Sequence, residues 1–261
     1  MKNDFTLHVF EQLLATLTET KKEILPFKEF ISGSRQAIIL RHDVDSRPDR
    51  SLDFARLQAK AKIRGTYYFR YVPGSFHVQI IEEIAALGHE IGYHYETMDS
   101  SNGDPDKAYD EFCTILEKFR KIVPVTTVCM HGSPLSKFDN RAIWDTYDYR
   151  KSGITGEPYY DLDFNKVFYI TDTGRRWDGQ KVSIRDKAKA DRPVTNSDFI
   201  NRKYATTFDI IEALNKGHFP DAAMMTFHPQ RWTNHALGWT KELVFQRTKN
   251  IIKYFLVSRQ G

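Results

Sequence analysis

The sequence predicts an α/β fold built on a parallel sheet. Short apolar, β-branched runs alternate with amphipathic stretches of helical spacing, and glycines stand at several of the junctions. The run Ala37-Ile38-Ile39-Leu40 is apolar at every position, which suits a strand covered on both faces. It passes abruptly into Arg41-His42-Asp43-Val44-Asp45, and later apolar runs also end in polar residues. In parallel α/β barrels the C-terminal ends of the strands carry the chemistry.

Taken in order, residues 5–17 have helical apolar spacing; Pro26 follows, and residues 27–31 make a short link. The first core strand covers 37–43. A helix over 48–63 has Pro48 near its start and Gly65 at its C-terminal cap position. Residues 66–72 read as a second strand, 76–87 as a helix ended by Gly88, and 89–96 as a third strand. A long helix over 104–123 starts at Asp104-Pro105 and turns Phe112, Ile115, Leu116, Phe119 and Ile122 to one face. A fourth strand over 125–130 runs into His131-Gly132-Ser133-Pro134. The pattern then loosens. Residues 135–165 are polar, Tyr-rich and irregular, an inserted loop of a length and position suited to a lid. A strand over 166–172, a loop over 183–194, a helix over 208–214 with Gly217 past its end, a strand over 222–228 and an amphipathic helix over 239–258 complete the chain. No repeat, low-complexity tract or linker divides it, so residues 1–261 read as one domain, with 1–35 as an N-terminal helical extension.

Composition narrows the function classes. A hydrophobic fraction of 41% supplies a sizeable core. The net charge of +4, from 38 basic and 34 acidic residues, is mild and scattered, which speaks against a nucleic-acid partner. No stretch approaches the roughly 18 apolar residues of a transmembrane segment. The N-terminus lacks an apolar signal core, so a cytoplasmic location is expected. Cys113 and Cys129 are too few for a disulfide framework and read as buried thiols. The oligomeric state is not legible.

Asp43 and Asp45 are two apart, so in extended chain both carboxylates point to the same side. Two like charges that close call for a divalent cation or a shared proton. Asp45, ahead of Ser-Arg-Pro-Asp, also suits a turn or a helix cap. The third strand ends in His94 and Glu96, the fourth in His131. A later strand ends in Asp172, with Arg175 and Trp177 beyond, and the last in His228, with Arg231 and Trp232. A single histidine at a strand end is more often a structural hydrogen-bond partner; ionisable groups from five strands on one rim weigh against that. Mixed Asp and His donors suit a catalytic zinc-type site with an open position.

The motifs Leu40-Arg41-His42-Asp43-Val44-Asp45, Gly88-His89-Glu90-Ile91-Gly92-Tyr93-His94 and Thr226-Phe227-His228 resemble the strand-end motifs of polysaccharide deacetylases, the NodB-homology or carbohydrate esterase family 4 type. The resemblance spans about residues 36–232 and is nearest to the divergent branch of lipopolysaccharide O-antigen gene clusters. It implies a distorted (β/α) barrel of about seven strands, a divalent metal (zinc, with nickel, cobalt or iron as alternatives) and hydrolysis of an N-acetyl group on a sugar or glycan. On the matching positions, Asp43 corresponds to the catalytic base, Asp45 to the metal-binding aspartate, His94 to the first metal histidine and His228 to the general acid. Asp172 and Arg175, with Trp177, correspond to the motif that orients the base. The family's two aspartates are adjacent; here Val44 separates them, which leaves open an exchange or merger of their roles. Where the family has its second metal histidine this chain has Met98, a poor ligand for such a cation. His131, standing where the family has Arg-Pro-Pro-Tyr, is expected to replace it. Arg70, Tyr95, Glu96, Trp177, Arg231 and Trp232 are the candidate sugar contacts, together with Tyr68; for the aromatics among them, core packing explains their presence equally well. His89 is expected as a strand-start hydrogen-bond partner. Two other readings stay open: a metal-free sugar-binding protein on the same barrel, favoured by Met98, and a hydrolase of another small amide.

Overall fold

Seven consecutive buried residues, Ile38–Val44, form the central strand β1 of a computed structural model that describes residues 3–33, 36–132, 136–177 and 194–240. Five more strands join it: β2 (Thr66–Phe69), β3 (Glu90–Tyr95), β4 (Val128–Met130), β5 (Phe168–Thr171) and β6 (Ala223–Phe227). Every strand pairing is parallel, and the order across the sheet is β4-β3-β2-β1-β6-β5. That is the chain order laid round a ring and opened between β4 and β5. The fold is therefore α/β, with six strands among the described residues rather than the seven expected, and with β4 and β5 as free edges of the strand ladder. The sheet is strongly curled. Laid flat, β1 and β4 would stand about 14 Å apart at the usual strand spacing. Yet His131, just beyond β4, comes within 3.7 Å of Asp45, just beyond β1.

Besides a helical stretch at 236–240, the α-helices that cover the sheet or its ends are α1 (Leu7–Glu19), α2 (Phe27–Ser32), α3 (Pro48–Lys60), α4 (Val78–Ala86), α5 (Thr97–Ser100), α6 (Pro105–Arg120), α7 (Pro158–Asp161), α8 (Ser197–Asn201) and α9 (Thr207–Asn215). Several starts carry side-chain caps. Thr6 caps α1 through Val9 N, Asp104 caps α6 through Asp106 N and Lys107 N, and Thr206 and Asp209 form a capping box at α9. No described helix is long and apolar enough to cross a membrane.

The pleat sorts side chains between two environments. His42 points outward, stacked between Tyr67 and Phe227 at centroid distances of 4.1 and 5.3 Å, with Phe10 of α1 and Phe54 of α3 edge-on. It belongs to the helix-covered core, and burial pushes its pKa down to about 3. Arg41 and Asp43 point to the concave side, level with Thr66 and Tyr68 of β2. Gly92 of β3 is required there: a Cβ would stand 2.3 Å from Tyr68 Cε1 and 2.9 Å from Thr127 O, so the glycine lets the Tyr68 ring lie across the strand.

Several boundaries differ from expectation. Residues 27–31 are not a link but most of α2, whose first amides are held by Thr66 Oγ1 and Glu90 Oε2 at 2.8 and 3.0 Å. Gly65 does not cap α3, which ends at Lys60 with Lys62 in the left-handed region at φ 59°. Gly65 instead makes room for His42, whose Cε1 would lie 2.9 Å from a Cβ. The expected loop over 135–165 carries 3-10 turns at Asn140–Asp145 and Tyr149–Ser152, and then α7. Trp144, Tyr149, Tyr159 and Leu162 are buried, so these side chains pack as a wall. Thr127 bridges Gly156 beside β4, which gives that edge a partner without a seventh strand. Residues 236–240 are helical; the rest of the expected helix over 239–258, and 183–193 of the expected loop, lie outside the described residues.

Candidate active site

β1 delivers two carboxylates to the concave rim in different settings. Asp43 is held by Arg41, two residues earlier on the same face. Arg41 Nε donates to Oδ1 at 2.8 Å and Nη2 to Oδ2 at 2.7 Å. Both side chains are buried. Burial works against the Arg41 charge, but Asp43, together with Cys129, Tyr159 and Tyr169, outweighs it, and the net shift of the Arg41 pKa is upward. Tyr68 and Tyr159 lie beside the guanidinium at 5.8 and 5.4 Å. Asp45 Oδ2 accepts from Gln230 Nε2 at 3.0 Å. Its Oδ1 is buried and receives no hydrogen bond from the described residues. Burial tends to raise the Asp45 pKa, but His131, His228 and His94 around it bring it down overall.

Two histidine rings face that orphan oxygen. His94 Nε2 and His131 Nε2 each lie 3.7 Å from Asp45 Oδ1. His94 Nδ1 is 2.8 Å from the Cys129 carbonyl, which can only accept, so Nδ1 carries the proton and Nε2 presents its lone pair. Burial, followed by repulsion from His131, holds the His94 pKa well below the usual histidine value. His131 Nδ1 is 2.8 Å from Glu96 Oε2. Desolvation lowers the His131 pKa, but the Glu96 hydrogen bond and the Asp45 charge outweigh it and the net shift is upward. Glu96 is also gripped by Arg70, with Nη2 at 2.9 and 2.7 Å from its two oxygens and Nε at 3.1 Å. Desolvation opposes its charge, yet His131 and Arg70 bring its pKa down to about 2.

On the other side of Asp45 stands His228, its Nε2 4.0 Å from Asp45 Oδ2. Its Nδ1 lies 2.6 Å from Asp172 Oδ1, and its backbone N–H donates to Asp172 Oδ2 at 2.9 Å. Asp172 is fully buried and collects two further donors, Trp232 Nε1 at 2.7 Å and Arg231 Nη1 at 3.0 Å. Desolvation alone would raise its pKa; His228 and Arg231 lower it to about 2.

Among the described residues, no three His, Cys, Asp or Glu side chains converge tightly as a finished metal-binding group. The spacing shows how far short they fall. Tetrahedral donors about 2.05 Å from zinc stand about 3.3 Å apart, against 3.7 Å from Asp45 Oδ1 to each histidine. The chemistry of the donors fits a cation: one buried carboxylate oxygen without a partner among the described residues, and two Nε2 atoms whose ring partners occupy the Nδ1 side.

The structure thus brings Asp43, Asp45, His94, His131, Asp172 and His228 to one rim, with Arg70, Glu96 and Arg231 beside them. It removes others. Arg175 was expected beside Asp172 or the base; its side chain instead donates to the carbonyls of Trp239 and Asp4 at 3.0 and 3.3 Å and lies over the Trp239 and Phe5 rings. Tyr95, Trp177 and Trp232 were expected to touch sugar, but they are 0, 1 and 0% exposed. Tyr95 OH accepts from Trp144 Nε1, and Trp177 Nε1 donates to Thr207. Tyr68 is equally buried and bonds Thr127. Met98 is in the core. His89 accepts from Gly65 N and donates to Ala55 O, the strand-start role expected of it. Sequence reasoning missed Arg41, which shares the strand face of Asp43 by the same two-residue rule, and Gln230, which a 3-10 turn at Pro229–Arg231 carries to Asp45 without any sequence signal.

No family model matches the sequence, and no curated protein is similar to it. A solved structure, that of Bacillus subtilis PdaA, a family 4 carbohydrate esterase, is similar over 91% of this chain and 84% of that chain, at 16% identity and a TM-score of 0.40. Overlap that loose leaves the argument to the geometry of the rim itself.

Proposed function

We propose that the chain is a metal-dependent hydrolase that removes an N-acetyl group from a sugar of a surface polysaccharide of the O-antigen type, or from its precursor. The observation that carries the hydrolase reading is the buried Asp45 Oδ1, without a hydrogen-bond partner among the described residues, facing two histidine Nε2 atoms, with the Arg41–Asp43 pair on one side and the Asp172–His228 pair on the other. The sugar and its O-antigen setting rest on the motif resemblance at residues 40–45, 88–94 and 226–228.

Asp45, His94 and His131 are the residues that would hold the cation. A divalent ion there, zinc by its donor set, with nickel, cobalt or iron as alternatives, supplies Lewis acidity toward the acetamide carbonyl and makes water acidic near neutral pH. The chain's own groups do the rest. Asp43 takes the proton of the attacking water; Arg41 fixes its plane and keeps the carboxylate paired in a dry setting. His228 turns Nε2 toward the rim, because Asp172 engages Nδ1, and gives its proton to the departing amine nitrogen. Asp172 fixes the orientation of the ring, while Trp232 and Arg231 hold that carboxylate in place.

The test is metal content and acetate release measured together, on wild type, Asp45→Asn and His228→Ala. About one equivalent of metal is expected in wild type and His228→Ala and is lost in Asp45→Asn. Acetate release from N-acetyl sugars is expected of wild type alone. A wild type that takes up no metal after reloading, yet binds glycan, would replace this reading with the sugar-binding one. Hydrolysis confined to non-sugar amides would replace it with the other amidohydrolase.

A further inference from the structure

The two histidines that face Asp45 are held differently. His94 rests on a backbone carbonyl, fixed by the sheet itself. His131 lies just past β4, and its backbone is pinned by Tyr95 O at 2.7 Å and by Asn140 Nδ2 at 2.9 Å. Its ring is oriented by a carboxylate from another strand end, Glu96. That carboxylate is in turn fixed by three contacts from Arg70, just beyond β2. Arg70 Nη1 also lies 3.3 Å from the Asp45 carbonyl oxygen. The contacts close a circuit, from Asp45 O through Arg70, Glu96 and His131 back to Asp45 Oδ1. They lace together the rim ends of β1, β2, β3 and β4. Glu96 and Arg70, expected as sugar contacts, have their polar atoms committed to this circuit.

From this geometry we infer that Glu96 is a positioning residue, which acts through His131 to hold its Nε2 toward Asp45 as a metal donor, with Arg70 as the clamp on Glu96. The inference rests on the metal reading proposed above. A carboxylate on the far nitrogen of a ligating histidine fixes the tautomer and the ring plane and makes the donor nitrogen more basic; losing such a partner typically weakens metal binding about 10–100-fold. Here the carboxylate also compensates for geometry. His131 is not on a regular strand or helix, so nothing in the local backbone dictates its ring orientation.

The experiment titrates metal-free protein with Zn²⁺ in competition with a chromophoric chelator, for wild type, Glu96→Ala, Glu96→Gln and Arg70→Met. In parallel, the imidazole nitrogens are read by NMR at a pH where the rings are neutral. One equivalent binds wild type. Glu96→Ala is expected to bind about 10–100-fold more weakly and to move His131 from the Nδ1–H form toward the Nε2–H form. Glu96→Gln keeps an oxygen that can accept from Nδ1–H, so it recovers part of the loss. Arg70→Met, which leaves Glu96 on His131, loses less than Glu96→Ala. Unchanged zinc affinity in Glu96→Ala with the Nδ1–H form retained would overturn the inference and leave the metal reading standing. Equal losses in Arg70→Met and Glu96→Ala would also overturn it, since Glu96 would then act only as an anchor for Arg70. No zinc on wild type overturns the metal reading and this inference with it.

Discussion

The indole Nε1 of Trp232 lies 2.7 Å from Asp172 Oδ2, and Asp172 Oδ1 lies 2.6 Å from His228 Nδ1. A tryptophan and a histidine four residues apart thus grip one buried carboxylate from opposite sides. The 3-10 turn at Pro229–Arg231 makes that possible by folding the chain back onto the end of β5. Trp232 therefore acts on His228 through Asp172. Trp232→Phe keeps the ring and deletes the donor. A hydrogen bond to a buried charge is worth about 1.5–3 kcal/mol, so chemical denaturation should show a loss of that order. The rate effect is expected to be smaller, about tenfold in kcat/KM, or about 1.4 kcal/mol, because His228 and Arg231 still hold Asp172. Steady-state kinetics on the folded variant check this. A change in KM alone would restore the sugar-contact role.

Arg41 and Asp43 are a buried ion pair, with side chains 1 and 5% exposed. Removing one partner of such a pair leaves a charge with no compensation and typically costs about 3–5 kcal/mol; replacing both with apolar groups is often near neutral. Arg41→Met alone is expected to destabilise by that amount, and Arg41→Met with Asp43→Leu to recover most of it. Both proteins are read by urea unfolding. The double variant has no base and is expected to be inactive although stable. That separates the pair's catalytic role from its structural one.

The Arg175 backbone N–H donates to Asp172 O at 2.9 Å, but its side chain reaches to other partners. It joins the N-terminal segment at Asp4 and Phe5 to Trp239. Asp4 also bonds Thr207 N, and its carbonyl receives Trp239 Nε1 at 2.7 Å. Arg175→Met is expected to lower the melting temperature, with a loss of about 1–3 kcal/mol because Trp239 O loses its donor, while Asp4 O keeps Trp239 Nε1. The kcat per folded molecule should stay far nearer to wild type than that of Asp172→Asn. Equal rate losses in the two variants would return Arg175 to the reaction.

The rim was legible in the sequence because its signal is local. An apolar run that stops abruptly in His or Asp marks a strand end, and Asp43, His94, His131 and His228 all announced themselves that way. Arg41 lay inside the expected strand over 37–43 and was given no role, although period two puts it beside Asp43. The aromatics were ambiguous for a physical reason. Trp177 and Trp232 have the composition of a sugar shelf, and only burial, which depends on distant Phe5 and Phe227, shows them to be core. The wall over 140–164 had no periodicity to read. It is held by long-range partners, such as Trp144 Nε1 to Tyr95 OH and Glu157 to Met130 N, that no local pattern encodes.

Glu157 gives that wall a pH dependence. Its carboxylate is fully buried, accepts from Met130 N at 3.1 Å and bonds Tyr95 OH and Tyr159 N, so it ties the ends of β3 and β4 to α7. Burial raises its pKa from 4.5 to about 7, against the hydrogen bonds from Met130 and Tyr159 and the charges of Arg41 and Arg141. The folded state therefore holds a proton that the unfolded chain has released. Its contribution to stability is fully present below pH 4.5 and is lost as pH rises through about 7. The slope is up to about 1.4 kcal/mol per pH unit. Glu157→Gln cannot titrate. The difference in unfolding free energy between wild type and Glu157→Gln, from urea titrations at successive pH values, should shift toward the variant across that window and level off above it. The protection factors of the amides at residues 157–162, which remove the intrinsic rise of exchange with pH, should fall over the same window in wild type and stay flat in the variant. A difference independent of pH would place the Glu157 titration outside this range and make the carboxylate a fixed strut of the wall.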